Sequence, residues 1–281
     1  MIRIGIQNDE AATYASQANR LRGAVLVDAA DECDAVVIPA NTPARETLCQ
    51  EALQAGKHLL IEMPLAETSE AAQSLIEACA KAGVRLMAGN AKRYLPSMRT
   101  VKEVLAAGKL GQPGLLRIHR WDAHPSAQSL LQRLVCEIDL VVWLFGTSPT
   151  EVYAVGRDEY VQVHFGFPED GMALIDVTIV PNATPYYSLS LIGSTGAAYA
   201  DDHHNMQLLY QAEKPTSLLT SQGSLHHLAQ LQEFVDAVNE NRQPAISGGD
   251  GLLALQIAET VTASMNQSRA AHLSGDRYEF V

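Results

Sequence analysis

A carboxylate, a thioether and a proline stand together as Glu62-Met63-Pro64 inside the run Gly56-Lys57-His58-Leu59-Leu60-Ile61-Glu62-Met63-Pro64-Leu65-Ala66. Glu62 can accept hydrogen bonds or move a proton, whereas Met63 can carry neither a proton nor a charge. Asn90, Lys92, Arg93 and Tyr94 follow as a second cluster, with Arg45 and Arg120 as further cations. Such cations hold a carboxylate or a sugar acid, and the amide and phenol add hydrogen bonds. Cys136 is a possible nucleophile if a cation or a histidine lowers its pKa, and Arg133 and His124 are the possible neighbours. The other reading of Cys136 is a small side chain packing on a helix over 134–145. His203-His204 and His226-His227 are adjacent pairs whose side chains should diverge, so no metal site is expected. Cys33, Cys49, Cys79 and Cys136 show neither a CxxC pair nor His/Cys ligand spacing, and are expected as reduced, mostly buried thiols.

The elements that must position these groups change character along the chain. The first part alternates: strand-like runs at 2–6, 24–27, 35–38, 58–62 and 84–88, and helix-like segments at 10–22, 44–55 and 69–82, the last two ended by Gly56 and Gly83. This alternation predicts a parallel sheet covered by helices. The space is short, because one strand–helix–strand unit takes roughly 30 residues, so at least one helix should be shortened or missing before Ile38. A linking helix is predicted over 95–107. Beyond it, period-two strands at 115–121, 151–157, 161–167, 172–180, 186–192 and 206–210 predict a large, mainly antiparallel sheet. Helices over 225–241 and 251–267 close the chain. The expected division is a shortened α/β domain over 1–92 and an α/β domain with an open antiparallel sheet over 93–281.

Composition excludes several classes. The chain of 281 residues is 47% hydrophobic and 19% charged, which suits a globular protein with ordinary cores. Its net charge of −12 opposes a nucleic-acid surface. No apolar run approaches the ~18 residues of a membrane span. The start Met1-Ile2-Arg3-Ile4-Gly5-Ile6 shows no cleavable signal pattern. A cytoplasmic protein is expected.

The run 56–66 closely resembles the A-G-K-H-V-x-x-E-K-P-L-A segment of the glucose–fructose oxidoreductase / inositol dehydrogenase / rhizopine-catabolism (Gfo/Idh/MocA) family. Further segments resemble that family in the same order: Gly89-Asn90-Ala91-Lys92-Arg93-Tyr94-Leu95-Pro96, Gly108-Lys109-Leu110-Gly111, Glu137–Gly146, Leu191-Ile192-Gly193-Ser194-Thr195-Gly196, Phe234-Val235-Asp236-Ala237 and Ser247–Leu252. The resemblance implies a Rossmann-like domain followed by an α/β domain whose open sheet often forms a dimer interface. It also implies nicotinamide chemistry, with a catalytic lysine at position 63, where this chain has Met63. The histidine of the family's H-x-x-D falls on Cys136 and the aspartate upstream of it on Gln132. The three glycine or small-residue positions of its dinucleotide loop fall on Asn8, Glu10 and Thr13.

These departures set the functional expectation. A pyrophosphate needs close backbone approach at the first turn, and here Asp9 and Glu10 stand where its oxygens would lie. Like charges within about 4 Å repel by roughly 1–4 kcal/mol, although the two carboxylates could equally cap the first helix. Asp28 has the spacing of a ribose-binding acid, or is a turn residue. The leading expectation is a family member that has lost nicotinamide redox catalysis, needs no cofactor, and binds a sugar-related small molecule through Glu62, Asn90, Arg93, Tyr94 and His124. Its partner would be a second copy or a homologue, docked on the open sheet. One alternative is an active NAD(P)-dependent oxidoreductase of a sugar or cyclitol with substitute groups, His124 or Tyr94 among them. Another is a non-redox lyase, isomerase or hydrolase using Cys136, Glu62 or His124.

Overall fold

The computed structural model describes residues 1–7, 20–27, 32–122, 130–157, 159–180, 185–201, 206–211, 214–219, 225–275 and 277–280. Its contacts divide the chain into two units, Met1–Tyr94 with Gly223–Leu255 and Leu95–Gln222 with Gln256–Val281. The helices of the described residues are α1 (Arg45–Gln54), α2 (Ser69–Ala82), α3 (Pro96–Ala106), α4 (Leu130–Phe145), α5 (Leu225–Asn239) and α6 (Gly248–Gln267).

In the first unit β1 (Ile2–Ile6), β2 (Ala24–Leu26), β3 (Ala35–Ile38), β4 (His58–Glu62) and β5 (Leu86–Gly89) form a sheet of order β2-β1-β3-β4-β5. Every pairing in it is parallel. β3 and β5 are buried at every position, and Leu59, Leu60 and Ile61 of β4 are 0% exposed. A parallel sheet covered on both faces requires such unbroken apolar runs. Only positions 27–34 connect β2 to β3, fewer than the dozen or so residues of a helical crossover. The parallel sheet expected from the sequence is found, with a short connection between β2 and β3. The later-sequence portion, 223–255, joins this unit through backbone ties such as Ala88 N donating to Ile246 O at 3.1 Å. Gln232 exchanges two hydrogen bonds with the main chain of Arg22, at 2.9 and 3.1 Å.

Helix ends in this unit follow local chemistry. Thr68 Oγ1 accepts from Ala71 N at 3.2 Å and caps α2, and Gly83 (φ 69°) ends it in the left-handed region that glycine adopts freely. α1 starts without a side-chain cap, on Ala44 at φ 53°.

In the second unit β6 (Pro113–Asp122), β7 (Glu151–Arg157), β8 (Tyr160–Gly166), β9 (Met172–Ile179), β10 (Tyr186–Gly193), β11 (Gly196–Asp201), β12 (Met206–Gln211), β13 (Lys214–Leu219), β14 (Ala271–Ser274) and β15 (Arg277–Phe280) form one sheet. Its order is β13-β12-β11-β10-β6-β9-β8-β7-β14-β15, antiparallel except for the β6–β9 pair. Side chains alternate as a strand dictates. Leu116, Ile118, Val163, Ile175, Leu189 and Leu191 are buried on one face, while Leu115, Met172, Ile192, Tyr153, Val155 and Tyr160 are 37–56% exposed on the other. The sequence expectation left out β11, β13, β14 and β15. Gly196-Ala197-Ala198-Tyr199-Ala200-Asp201 and Lys214-Pro215-Thr216-Ser217 carry little β-branched content, so their strand state comes from neighbours in the ladder.

Candidate active site

In an open parallel sheet, ligands bind outside the carboxyl ends of the strands, where the strand order reverses. Here the order reverses between β1 and β3, so the candidate site of the first unit lies past Ile6, Ile38 and Glu62. Glu62, the last residue of β4, is half-buried, and its Oε2 accepts from Ala40 N at 3.3 Å. Met63 follows with 2% exposure, its amide donating to Gly89 O at 3.0 Å, and the Met63-Pro64 peptide is cis. Position 63 thus presents a buried thioether and no ionisable group.

The Arg45 guanidinium grips this turn from the first turn of α1. Nη1 donates to Ala40 O at 3.2 Å, and Nη2 donates to Glu62 O at 2.9 Å and to Pro64 O. Burial pushes the Arg45 pKa down from its ordinary value. The sequence marks Arg45 only as a nearby cation; no pattern within the chain shows that its acceptors are carbonyls separated by a strand.

The second cluster is brought to the same carboxyl edge by β5. Asn90 is 2% exposed, and its Oδ1 accepts from Lys92 N at 3.3 Å. Arg93 lies in the short 3-10 turn Ala91–Tyr94, is 7% exposed, and stands 3.5 Å from Asp250 Oδ1. Asp250 Oδ2 in turn accepts from Ser247 N and Oγ, while Asp250 N donates to Ser247 Oγ, a reciprocal cap on α6. The spacing Ser247-x-x-Asp250 could have revealed this cap from the sequence, though not the pairing of its acid with Arg93. Tyr94 is half-buried.

In the second unit Gln132 and Cys136 are both half-buried on α4. Their spacing of four residues places them on one helix face, so the two positions that match the family's acid and histidine share a surface. Arg133, Glu137 and Asp139 are at most 3% exposed. Arg120 of β6 is held by Glu137, Nη1 to Oε1 at 3.0 Å, and so serves a largely buried ion pair. Asn8, Asp9, Glu10, Thr13, Asp28, His124, His203 and His204 lie outside the described residues. His226 and His227 do not diverge as expected: their rings lie 4.3 Å apart, and burial, with His226 adding to it, pushes the His227 pKa down to about 4. Among the described residues no group of three or more His, Cys, Asp or Glu side chains could hold a metal. All four cysteines are free thiols, and burial raises Cys49 and Cys79 to about 11.

Comparison with known proteins bears on what this edge binds. Residues 7–90 match the oxidoreductase family's NAD-binding Rossmann fold, and residues 102–273 match its C-terminal alpha/beta domain. The chain is similar to an inositol 2-dehydrogenase of Serratia proteamaculans, 28% identical over 281 residues that cover 89% of this chain and 78% of that protein. Among solved structures it resembles an oxidoreductase from Agrobacterium radiobacter in complex with NAD+, L-tartaric acid and magnesium (TM-score 0.85, 15% identity, 96% of this chain and 98% of that one). It also resembles a myo-inositol 2-dehydrogenase from Lactobacillus plantarum (TM-score 0.80, 18% identity, 97% and 99%). The expectation that no cofactor is needed finds no support in these matches: the family is NAD-binding, and a structural relative holds NAD+. No described helix is long and apolar enough to cross a membrane.

Proposed function

The chain belongs to the Gfo/Idh/MocA oxidoreductase family, and from that premise we propose that it binds NAD(P) and acts on a hydroxyl of a cyclitol or sugar with substitute catalytic groups. The observation that carries this reading is the switch point of the first sheet, where the carboxyl ends of β1 and β3 part beside the Glu62–Pro64 turn. That crevice suits a dinucleotide by topology. When bound, the nicotinamide supplies hydride acceptance or donation. Glu62, tied to the Ala40 amide, fixes the wall on the β3 side, and Asn90 fixes the turn that carries Lys92 and Arg93. The thioether at position 63 excludes water and transfers no proton. The proton of the hydroxyl must therefore pass to another group, for which Tyr94, acting as its phenolate, is the candidate among the described residues of this unit.

Titration with NADH and NADPH, followed by nicotinamide fluorescence, tests the first half. Micromolar binding of either is expected, and no binding at millimolar cofactor overturns the reading. Reduction of NAD+ with myo-inositol, repeated with Tyr94→Phe, tests the second half.

Met63 favours a second reading, ligand binding without turnover. Cofactor binding with no hydride transfer to any polyol or its ketone would select it.

The same proposal gives the open face of the larger sheet to a second copy of this chain. The molecule carries a net charge of −12, yet charges on this face answer one another. Asp176 accepts from Arg117 at 2.9 and 3.2 Å and from Gln162 at 2.6 Å, and Glu151 stands 3.2 Å from His272. Two such faces can meet without the like-charge penalty of the rest of the surface.

A further inference from the structure

Arg45 occupies a position that local physics disfavours. It is the first residue of α1, where the helix dipole repels a cation, and that helix has no side-chain cap to offset the repulsion. The guanidinium is desolvated as well. Among the described residues no carboxylate lies within ion-pair distance, and its hydrogen bonds go to three main-chain carbonyls. Those carbonyls come from two places: Ala40, past the end of β3, and Glu62 and Pro64, which flank residue 63 on both sides. One fork of donors therefore bridges the loop after β3 to the turn after β4, and one nitrogen binds the carbonyls on either side of Met63.

We infer that Arg45 is a positioning residue of the site: it fixes the main chain around position 63 and sets the wall of the crevice on which the ligand lies. The Glu62 carboxylate bonded to the Ala40 amide lies within the same bridge, so its orientation depends on the same clamp. The planar guanidinium is what the arrangement requires, since a lysine ammonium is a single point of charge on a flexible stem and cannot hold the same rigid fork. The apolar residue at 63 and the gripping arginine at 45 are then coupled. With no charged side chain at position 63, the shape of the turn there is held through the backbone.

The inference rests on the proposed function only for its consequence on binding, and its test separates the two. Amide exchange, resolved by NMR, is compared among the wild type, Arg45→Met and Arg45→Lys. The Met63 amide, bonded to Gly89 O, is expected to exchange at least ~10-fold faster in both variants, while Leu59 and Ile61 within β4 keep their protection. Wild-type protection of Met63 in Arg45→Met overturns the inference. Full protection in Arg45→Lys overturns it too, because charge alone would then suffice. If Arg45→Met does not fold, Arg45→Lys and Arg45→Gln decide by the same measurement. NADH titration of the same proteins reads the consequence: a loss of at least ~10-fold in affinity, not recovered by lysine, is expected. Affinity equal to the wild type in a variant whose Met63 amide has opened removes the claim that this clamp shapes the ligand wall. A wild type that binds neither NADH nor NADPH refutes the proposed function, and the exchange result still judges the clamp.

Discussion

The two sheets bury their residues in opposite ways. The parallel sheet hides both faces along β3, β4 and β5, so those strands are largely apolar and their chemistry sits at the carboxyl ends, at Glu62, Met63 and Asn90. The ten-stranded sheet hides one face and leaves the other with exposed Met172, Ile192 and Tyr160 around the Asp176–Arg117–Gln162 knot. A sheet covered on both sides offers a rigid edge for a ligand, while a half-covered sheet offers an area for a partner. The same difference predicts which substitutions each can absorb. Leu60→Ala, at 0% exposure in β4, should cost about 3 kcal/mol through lost transfer energy and the cavity left behind. Met172→Ala, at 56% exposure, should change stability by no more than about 0.5 kcal/mol in dilute protein. Urea unfolding of both variants measures the contrast, and comparable losses would erase it.

The contrast sharpens if the open face is an interface. The wild type is expected to sediment as a dimer, and Met172→Asp combined with Ile192→Asp as a monomer, with self-association weakened at least ~10-fold, about 1.4 kcal/mol. Cofactor binding per chain should be unaffected, since both positions lie on the second unit's sheet. A wild type that is monomeric at all concentrations, or one that dimerises despite the two aspartates, removes the second copy from that face. Capture of a related subunit by the monomeric wild type would assign the face to a hetero-oligomer instead.

How much of this was legible in the sequence differs between the sheets for the same physical reason. Apolar runs identified β3 and β4 to within a residue or so, because burial on both faces leaves a pattern in every residue, and Gly83 marked the end of α2. Long alternating strands such as β7 and β9 were equally readable. β11, β13 and the β14–β15 hairpin were not, since short polar or alanine-rich segments become strands only when a neighbour supplies the ladder. At the site, residue identity carried the clearest message: Met63 cannot transfer a proton in any fold. Partners were invisible where they lie far apart in the chain. Arg45 with the carbonyls of Ala40, Glu62 and Pro64, and Arg120 with Glu137, are contacts that no spacing rule announces. The Arg93–Asp250 pair is another, since a capping pattern at Ser247 names no partner for its acid.

Acid should remove stability in two windows, one set by buried histidine and one by bonded carboxylates. His227, on α5 in the first unit, is kept neutral by burial, its pKa pushed down from 6.5 to about 4. The unfolded chain takes up that proton near 6.5 and the folded chain does not. The stabilisation is therefore complete above about pH 6.5, and it is lost progressively as pH falls toward 4. For a partly buried ring this is on the order of 1–2 kcal/mol. Asp176, in the second unit, is held below its ordinary 3.8 against the opposing effect of burial, by hydrogen bonds from Gln162, Arg117 and His119 and by the charge of Arg117. Its contribution is complete above the ordinary carboxylate value and is lost only as pH falls below it, by a smaller amount because the surrounding face is open to solvent. Stability measured by urea unfolding from pH 7 to pH 3 should therefore fall in two steps. His227→Gln should reduce the upper step, which His58 shares, and Asp176→Asn should reduce the lower one, which Asp34 and Glu233 of the first unit share. If His227→Gln follows the wild type between pH 6.5 and 4, the ring is not held neutral by the fold. The upper step would then fall to half-buried His58 of β4, whose pKa is also pushed down by burial and by Arg85.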